Sequence, residues 1–279
     1  KSWTTLCRDA GKTDVSPGPR EQDLIKRIRS IAHIDDRLRW QAYRDILQQE
    51  IPTESSLDRR LAEVLFYSLF PGGGDFDGPL SAFEGLRSEP VLNEMRQVVD
   101  IGFSAAHRST SALGDAEPAL ADVPLALHAS YTREEILAAL DWTSQGRVPN
   151  TMREGVAWCQ TVNADALLIT LKKSDTDYSP TTMYRDFALS PVLFHWESQS
   201  TTSSSSPTGQ RYLNHRENGS HILLFVREAK TNSLGTAPYV FLGPADYVTH
   251  EGDRPIAITW RLRRPMPMEM FIASRAAVA

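Results

Sequence analysis

The chain of 279 residues is long enough for two ordinary domains, and its 41% of hydrophobic residues is sufficient for packed cores. It contains no apolar run of the length that a membrane-spanning helix needs. Its two cysteines, Cys7 and Cys159, lie far apart, which argues against a disulfide framework or a cysteine-rich zinc site. We therefore expect a cytoplasmic protein with no membrane partner and no metal or other cofactor.

The formal net charge of −5 is unevenly distributed along the chain. Residues 1–124 hold 15 Lys and Arg against 20 Asp and Glu, whereas residues 125–279 hold 15 of each kind. A neutral region can bind DNA when its basic side chains cluster on one surface, but phosphate contacts alone then give modest, salt-sensitive affinity. Specificity for DNA in the second region would therefore have to come from contacts other than those to phosphates.

The first region is predicted to be helical. Residues 1–19 are rich in Gly and Pro and predict a flexible lead-in, and a start without Met predicts that the chain is a piece of a longer protein. From residue 20 onward, apolar residues recur every three or four positions, and Ser55 followed by Asp58 is typical of a helix start. Residues 104–124 are rich in Ala, Ser and Pro and predict a linker, so we place a helical domain at residues 20–124.

The second region, residues 125–279, differs in character. Thr132 and Glu135 form a capping-box pattern before one short helix. Six short apolar runs, separated by Gly, Pro, Ser and Asp, then predict strands at residues 156–159, 166–171, 192–196, 222–226, 239–242 and 256–262. We predict an α+β protein, in which an N-terminal helical bundle precedes a mixed β-sheet that curls towards a barrel.

Two polar segments have the composition of a base-binding pocket. Residues 172–186 combine lysines, hydroxyls and two tyrosines, and residues 194–212 place aromatic residues beside amides, hydroxyls and an arginine. Rings can stack on a flipped base while polar groups read its edge, and a carboxylate such as Asp186 can accept from the exocyclic amine of cytosine. The alternative is that Phe194 and Trp196 face the core, because they lie two positions apart on a strand.

Three further patterns each have a competing interpretation. Glu228 and Lys230 follow a predicted strand and match half of a metal-dependent nuclease core, for which Asp186 is the nearest upstream carboxylate. Residues 214–218, with the sequence NHREN, are vaguely similar to an H-N-H nuclease whose partner elements are missing. Residues 260–265 alternate apolar and basic side chains, so their arginines either contact phosphates or protect a sheet edge.

Several long stretches resemble a C-terminal domain of unknown function found in bacterial helicase-like proteins. These stretches are residues 194–202 (FHWESQSTT), 206–212 (SPTGQRY), 214–216 (NHR), 223–228 (LLFVRE), 241–247 (FLGPADY) and 250–252 (HEG). The proteins with this likeness include the SauUSI-like ATP-dependent type IV restriction enzymes. The likeness covers roughly residues 20–279 and is strongest from residue 125 onward.

The resemblance implies an SRA-like (PUA-like) fold, related to domains that flip 5-methylcytosine out of duplex DNA. It implies that a nuclease and a helicase precede this chain in the same polypeptide. This chain would then not be an enzyme itself. It would be the recognition part of such a protein and would bind double-stranded DNA that carries 5-methylcytosine or 5-hydroxymethylcytosine.

From the chemistry of the two polar segments and of residues 260–265 we predict which residues would contact the DNA. The predicted base pocket consists of Tyr178, Tyr184, Asp186, Phe194, Trp196, Ser198, Gln199, Ser200 and Thr201. The predicted contacts to the DNA backbone are Lys172, Lys173, Arg211, Arg261 and Arg263. Two other hypotheses stay open: a helicase-associated DNA- or protein-interaction domain without a modified-base pocket, and a nuclease built on Glu228 and Lys230.

Overall fold

The computed structural model describes residues 3–12, 16–18, 20–48, 55–87, 89–106, 110–172, 186–233 and 235–277. These residues belong to two compact units, residues 1–153 and residues 154–279, and each is described by itself. The protein has the predicted α+β composition, with helices in the first unit and one mixed sheet in the second. Within the described ranges, no helix has the length and apolar character needed to cross a membrane.

The first unit contains eight α-helices among its described residues: α1 (Trp3–Asp9), α2 (Glu21–Ile28), α3 (Arg37–Gln48), α4 (Ser56–Leu69), α5 (Pro79–Leu86), α6 (Leu92–Ala105), α7 (Leu113–Ala116) and α8 (Arg133–Ala139). A two-residue strand, β1 (Ser130–Tyr131), precedes α8. The predicted start of α4 is confirmed, since Ser55 Oγ accepts the N–H of Asp58 at 3.0 Å. The helical apolar spacing buries Leu24, Leu65 and Val99 in the core.

Two segments that composition marked as flexible or linking contain helices. In the predicted lead-in, the carboxylate of Glu94 accepts the N–H of Trp3 at 2.8 Å and that of Thr4 at 2.6 Å, which fixes the first turn of α1. In the predicted linker, Leu113 of α7 and Leu120 are buried. Composition does not reveal such contacts, because Glu94 lies about ninety positions away from the turn that it caps.

Helix α8 begins with the predicted capping box and carries a buried carboxylate. Glu135 accepts the N–H of Thr132 at 2.8 Å and donates its own N–H to Thr132 Oγ1 at 3.3 Å. The same carboxylate lies 2.7 Å from Nε2 of His33 and accepts from Arg39 Nη1 at 3.3 Å and from Ser68 Oγ at 2.8 Å. Burial would raise the pKa of Glu135, but the charges of His33 and Arg39 and the hydrogen bonds from His33 and Thr132 lower it to about 2.

The cation of this arrangement, Arg39, is also buried. Its Nε donates to Asp36 at 2.5 Å, its Nη2 donates to the carbonyl of Ser130 at 2.6 Å, and its guanidinium lies 3.8 Å from the ring centroid of Tyr131. Each buried charge therefore has an opposite charge and hydrogen bonds around it. We call His33, Asp36, Arg39, Ser68 and Glu135 the Glu135 cluster; it fastens the start of α8 to the preceding helices.

The second unit contains β2 (Val156–Cys159), β3 (Ala164–Thr170), β4 (Phe187–Ser190), β5 (Leu193–Glu197), α9 (Pro207–Leu213), β6 (His221–Arg227), β7 (Thr231–Asn232), β8 (Gly235–Thr236), β9 (Tyr239–Glu251), β10 (Ala257–Leu262) and α10 (Met268–Ala276). Seven of the strands of this unit lie in one sheet in the order β2-β3-β6-β9-β10-β5-β4, while β7 and β8 pair separately. The pair β3–β6 is parallel and the other neighbours are antiparallel.

All six predicted strands are present, and the sheet is mixed as predicted. Within the described residues it runs from an edge at β2 to an edge at β4 and does not close, so it is an open sheet and not a barrel. Closure would require the two edge strands to pair. Instead α10 contacts the edge strand β4, where Ser274 Oγ accepts the N–H of Ala188 at 2.6 Å.

An aromatic core covers one face of this sheet, which we call the core face. The ring of Trp196 lies edge-on to Tyr212 of α9, with centroids 5.5 Å apart, and 6.3 Å from the ring of Trp260. Trp260 is fully buried, and Phe271 of α10 packs against the same cluster. Rings of this size bury large apolar areas, so this cluster is the main source of stability in the second unit.

Candidate nucleic-acid interface

Over β4, β5 and β10, the side of the sheet opposite the core face is partly open to solvent. Successive side chains of a strand point to opposite sides, so the burial of Phe194 and Trp196 turns their neighbours outward. The strand register places Phe187 opposite His195, and His195 opposite Thr259. We call this surface the outer face; its members are Phe187, Leu193, His195, Glu197, Ala257, Thr259 and Arg261.

Two aromatic rings lie against each other on the outer face. The ring centroids of Phe187 and His195 are 4.8 Å apart, with 31° between the ring planes. Both side chains are partly exposed, and the hydroxyl-bearing Thr259 is the cross-strand neighbour of His195. A partly exposed ring can carry a nucleobase, because every base has a face that stacks. This aromatic pair is therefore a candidate stacking platform.

Arginines gather around one carboxylate beside this platform. Arg263 donates to Asp246 from Nη2 at 3.1 Å and from Nε at 3.3 Å, and Nε of Arg216 lies 3.4 Å from the same carboxylate. Arg261 is exposed and lies opposite Asp246 in the β9–β10 register. Two guanidinium groups against one carboxylate, with the exposed Arg261 as a strand neighbour, leave a local positive charge of the kind that contacts phosphates. We call these four residues the Asp246 cluster.

The aromatic pair and the Asp246 cluster lie side by side. Arg261 pairs with Leu193, which is two positions from His195 on β5, so Arg261 and His195 are diagonal neighbours. At the other end of the outer face, Glu197 and Glu251 lie on either side of Ala257. Positive charge is thus confined to the end of the outer face that carries the Asp246 cluster.

Phe194 and Trp196, which we predicted as pocket residues, lie in the aromatic core. Phe194 is fully buried and Trp196 is 5% exposed. This is the alternative that their spacing also allowed, and it follows from the alternation of side chains along β5. Because the core encloses both rings, we do not include them in the interface; Phe187 and His195 are the rings that β4 and β5 present outward.

The predicted edge-reading residues divide into buried and accessible ones. Ser198 is fully buried and holds Ile256, since its N–H donates to the carbonyl of Ile256 and its Oγ accepts the N–H of Ile256, both at 2.9 Å. Asp186 is 6% exposed and accepts the N–H of Glu197 at 3.1 Å. Residues 199–201 are half-buried or exposed, so in this segment Gln199, Ser200 and Thr201 are the accessible candidates.

The serine-rich run that follows is ordered, although its composition indicates only a solvated loop. Thr202 and Ser203 are buried, and Ser206 Oγ accepts the N–H of Gly209 at 3.1 Å, which caps α9. The N–H of Ser204 donates to Asp253 at 2.6 Å. Hydroxyl side chains that bond the backbone thus fix the start of α9.

The other polar segment, residues 172–186, contains two predicted base-pocket tyrosines and two predicted phosphate contacts. Tyr178, Tyr184 and Lys173 lie outside the described residues. Lys172 is described: its Nζ pairs with Glu228 Oε1 at 2.5 Å, with both side chains about half exposed. An exposed ion pair of this kind is weak and can exchange one partner for a phosphate.

Arg211, also predicted to contact phosphate, is held by a buried carboxylate. It donates to Asp165 from Nε at 2.6 Å and from Nη2 at 2.9 Å, and its guanidinium lies 4.2 Å from the ring centroid of Trp158. Burial raises the pKa of Asp165, and the hydrogen bonds and charge of Arg211 oppose that shift. Moving Arg211 onto a phosphate would leave a buried carboxylate unpaired, so we assign it a structural role.

The residues of the two nuclease patterns make ion pairs and hydrogen bonds with neighbouring residues of the chain. Glu228 pairs with Lys172, and within the described ranges no group of three or more His, Cys, Asp or Glu is arranged to hold a metal ion. His215 of the NHREN pattern is 1% exposed; its Nε2 accepts the N–H of Tyr247 at 3.1 Å, and its Nδ1 lies 3.3 Å from the carbonyl of Ser220. Burial lowers the pKa of His215, which favours the neutral ring that these contacts need.

The predicted site lacked both rings of the aromatic pair, Phe187 and His195, and two members of the Asp246 cluster, Arg216 and Asp246. The signal for His195 was present, because the alternation that buries Phe194 and Trp196 must expose the residue between them. The position of Phe187 follows from its pairing with His195, and β4 is too short and irregular for its apolar pattern to stand out. Arg216 and Asp246 are thirty positions apart, so only the folded chain brings them together.

Comparison with known proteins gives a family. Residues 125–273, more than half of the chain, match the model of DUF3427, described as a domain of unknown function. A search of curated proteins finds no match. The matched segment starts in the first compact unit, before α8, and ends within α10 of the second. The chain therefore belongs to the DUF3427 family.

Proposed function

We propose that this chain binds double-stranded DNA carrying a modified cytosine, and that the outer face of the second unit is the surface that contacts the DNA. The observation that carries the proposal is the partly exposed aromatic pair of Phe187 and His195 beside the arginines of the Asp246 cluster. Stacking rings next to cations are the two elements that a nucleic-acid surface combines. Family membership is compatible with this role but does not specify it.

Base flipping is part of the proposal and rests on the resemblance to SRA-like readers. Extruding a cytosine costs a few kcal/mol, which stacking on a ring and hydrogen bonds to the base edge can offset. In our proposal the flipped base stacks on the aromatic pair, and residues 199–201 supply hydrogen bonds. A buried methyl group adds only about 0.8 kcal/mol, so we expect a several-fold preference for 5-methylcytosine over cytosine.

The proposal also covers the larger protein to which the chain belongs and the compartment in which it acts. We propose that it is the recognition part of an ATP-dependent type IV restriction enzyme, with an SRA-like fold, and that it acts in the cytoplasm. The helicase and nuclease activities then belong to preceding parts of the same polypeptide, and this chain is not itself an enzyme. These statements rest on the resemblance of residues 194–252 to such proteins.

Titration with matched duplexes tests the proposal. The full chain is titrated with duplexes that differ at one cytosine, which is unmodified, 5-methylated or 5-hydroxymethylated, at two salt concentrations. We expect tighter binding to a modified duplex, with a preference ratio that higher salt leaves unchanged, because the base contact is not ionic. His195→Ala should abolish the preference, whereas Leu193→Ala, on the same strand and face, should keep it.

A second variant pair tests the phosphate contacts. Arg261→Ala should weaken binding to all three duplexes about equally and reduce the dependence of affinity on salt. The control is Arg59→Ala, which removes the same charge from an exposed position on α4. Equal affinity for all three duplexes in the unaltered chain, or a His195→Ala variant that retains the preference, would contradict a base-reading outer face.

A second candidate function has an observation in its favour. The burial of Phe194 and Trp196 is what a helicase-associated interaction domain without a modified-base pocket predicts. Such a domain would bind the three duplexes equally, with affinities that fall together as salt rises, or would bind no DNA. The same titration therefore separates the two candidates.

A further inference from the structure

The Asp246 cluster contains a carboxylate in the place where a DNA phosphate would be expected. Asp246 is 15% exposed, and Arg263 donates to both of its oxygens, at 3.1 Å and 3.3 Å. Arg216 lies 3.4 Å from it and is itself 68% exposed. A carboxylate that accepts two parallel bonds from one guanidinium presents the same acceptor geometry as two oxygens of a phosphate group.

We propose that Asp246 is a displaceable internal competitor for phosphate, and that Arg216, Arg261 and Arg263 form a phosphodiester-binding site that it partly occupies. In the free protein the carboxylate holds Arg216 and Arg263 on the outer face. When a phosphodiester arrives, these guanidinium groups transfer some of their hydrogen bonds from Asp246 to phosphate oxygens. The inference rests on the proposed function for the source of the phosphate, the backbone of DNA.

Because the arginines are exposed, such an exchange of hydrogen bonds costs little free energy. Arg263 is 34% exposed, and both it and Arg216 can rotate towards solvent without leaving a core. Both cations are well exposed, and because they transfer only some of their hydrogen bonds, Asp246, at 15% exposed, keeps a partner; a phosphate can therefore compete with the carboxylate on nearly equal terms. The contrast is Arg211, whose partner Asp165 is fully buried and cannot be left unpaired.

The carboxylate of Asp246 lowers the affinity of this surface for the backbone of any DNA. Each phosphate contact releases counterions and raises affinity without regard to sequence. One negative charge among three guanidinium groups lowers that general affinity, so a larger share of the binding free energy comes from the base. Asp246 thereby favours discrimination over affinity.

The test compares Asp246→Asn with Glu251→Gln. Both changes remove one negative charge from the same strand, β9, but Glu251 lies opposite Ala257, away from the arginines. We expect Asp246→Asn to bind an unmodified duplex roughly threefold to tenfold more tightly at low salt, with a steeper fall of affinity as salt rises. Glu251→Gln should change affinity less than twofold, on the order of a remote charge screened by salt.

Two further measurements keep the outcomes separate. Adding Arg263→Ala to Asp246→Asn should cancel the gain, because the released guanidinium is then missing. Elution of each variant from a heparin column gives a second polyanion, so the inference is tested even if the unaltered chain prefers no modified duplex. Equal behaviour of Asp246→Asn and Glu251→Gln on both polyanions, or weaker binding by Asp246→Asn, would overturn the inference; loss of modification preference alone would overturn only the proposed function.

Discussion

The two compact units bury different chemistry at their centres. The first unit encloses the Glu135 cluster, where Arg39, Asp36 and Glu135 are each at most 1% exposed. The second unit encloses the aromatic core of Trp196, Tyr212 and Trp260. Buried charges must each meet a partner in a fixed direction, whereas rings need only volume and contact. The first arrangement specifies which segments meet, and the second supplies stability with less directional demand.

The largest effect on stability is expected in the Glu135 cluster of the first unit. Glu135→Ala removes the carboxylate that contacts both Arg39 and His33, and it leaves the buried guanidinium with Asp36 and the more distant Asp35 alone. We expect the free energy of unfolding to fall by about 3–5 kcal/mol, measured by urea denaturation. Glu134→Ala is the matched control, since the neighbouring carboxylate is half-buried and should cost less than about 1 kcal/mol. A small effect of Glu135→Ala would show that the cluster is dispensable.

A smaller loss is expected in the aromatic core. Trp196→Ala removes a ring that contacts Tyr212 and Trp260, and we expect a loss of about 3 kcal/mol, from the lost burial and the cavity that remains. Hydrogen exchange of the β5 and β10 amides should report this loss, while α3 and α8 keep their protection. If Trp196→Ala instead leaves stability unchanged and weakens DNA binding, the ring belongs to a binding pocket after all.

The smallest effect concerns pH and His215, whose ring lies against Trp260 of the aromatic core. Burial lowers the pKa of His215 below its ordinary value of 6.5, so the unfolded chain binds the proton more readily than the folded one. The stabilisation is complete above about pH 6.5 and declines as the pH falls from there towards the lower pKa of the folded state. For one group the slope cannot exceed about 1.4 kcal/mol per pH unit. His215→Gln should flatten this part of the stability profile, and an unchanged profile would contradict the assignment.

Much of the fold followed from local patterns in the sequence. The capping box of Thr132 and Glu135 and the start of α4 at Ser55 depend on residues three positions apart, and both are present as predicted. The six strands followed from apolar runs between turn residues. By contrast, the openness of the sheet depends on whether strands β2 and β4 meet, which no local pattern encodes.

The candidate site was less predictable, for a reason visible in β5. The segment around Phe194 and Trp196 has the composition of a binding surface, yet one strand has two sides, and composition does not say which side faces water. The large rings of Phe194 and Trp196, which we predicted as pocket residues, lie in the core. His195, between them, lies on the outer face. The Asp246 cluster joins residues from α9's end, β9 and β10, so its charge balance emerges only from the tertiary structure.

The Glu135 cluster also bears on how a segment of this kind could be moved between proteins. The family match opens at residue 125, but Glu135 inside it takes hydrogen bonds from His33, Arg39 and Ser68, which precede the match. Recombination or an engineered fusion could join a foreign sequence to this chain at residue 125. The product would contain the buried carboxylate of Glu135 without the side chains that bond it. A stable graft must therefore carry the helices from α2 onward, or must replace Glu135 together with the side chains that bond it.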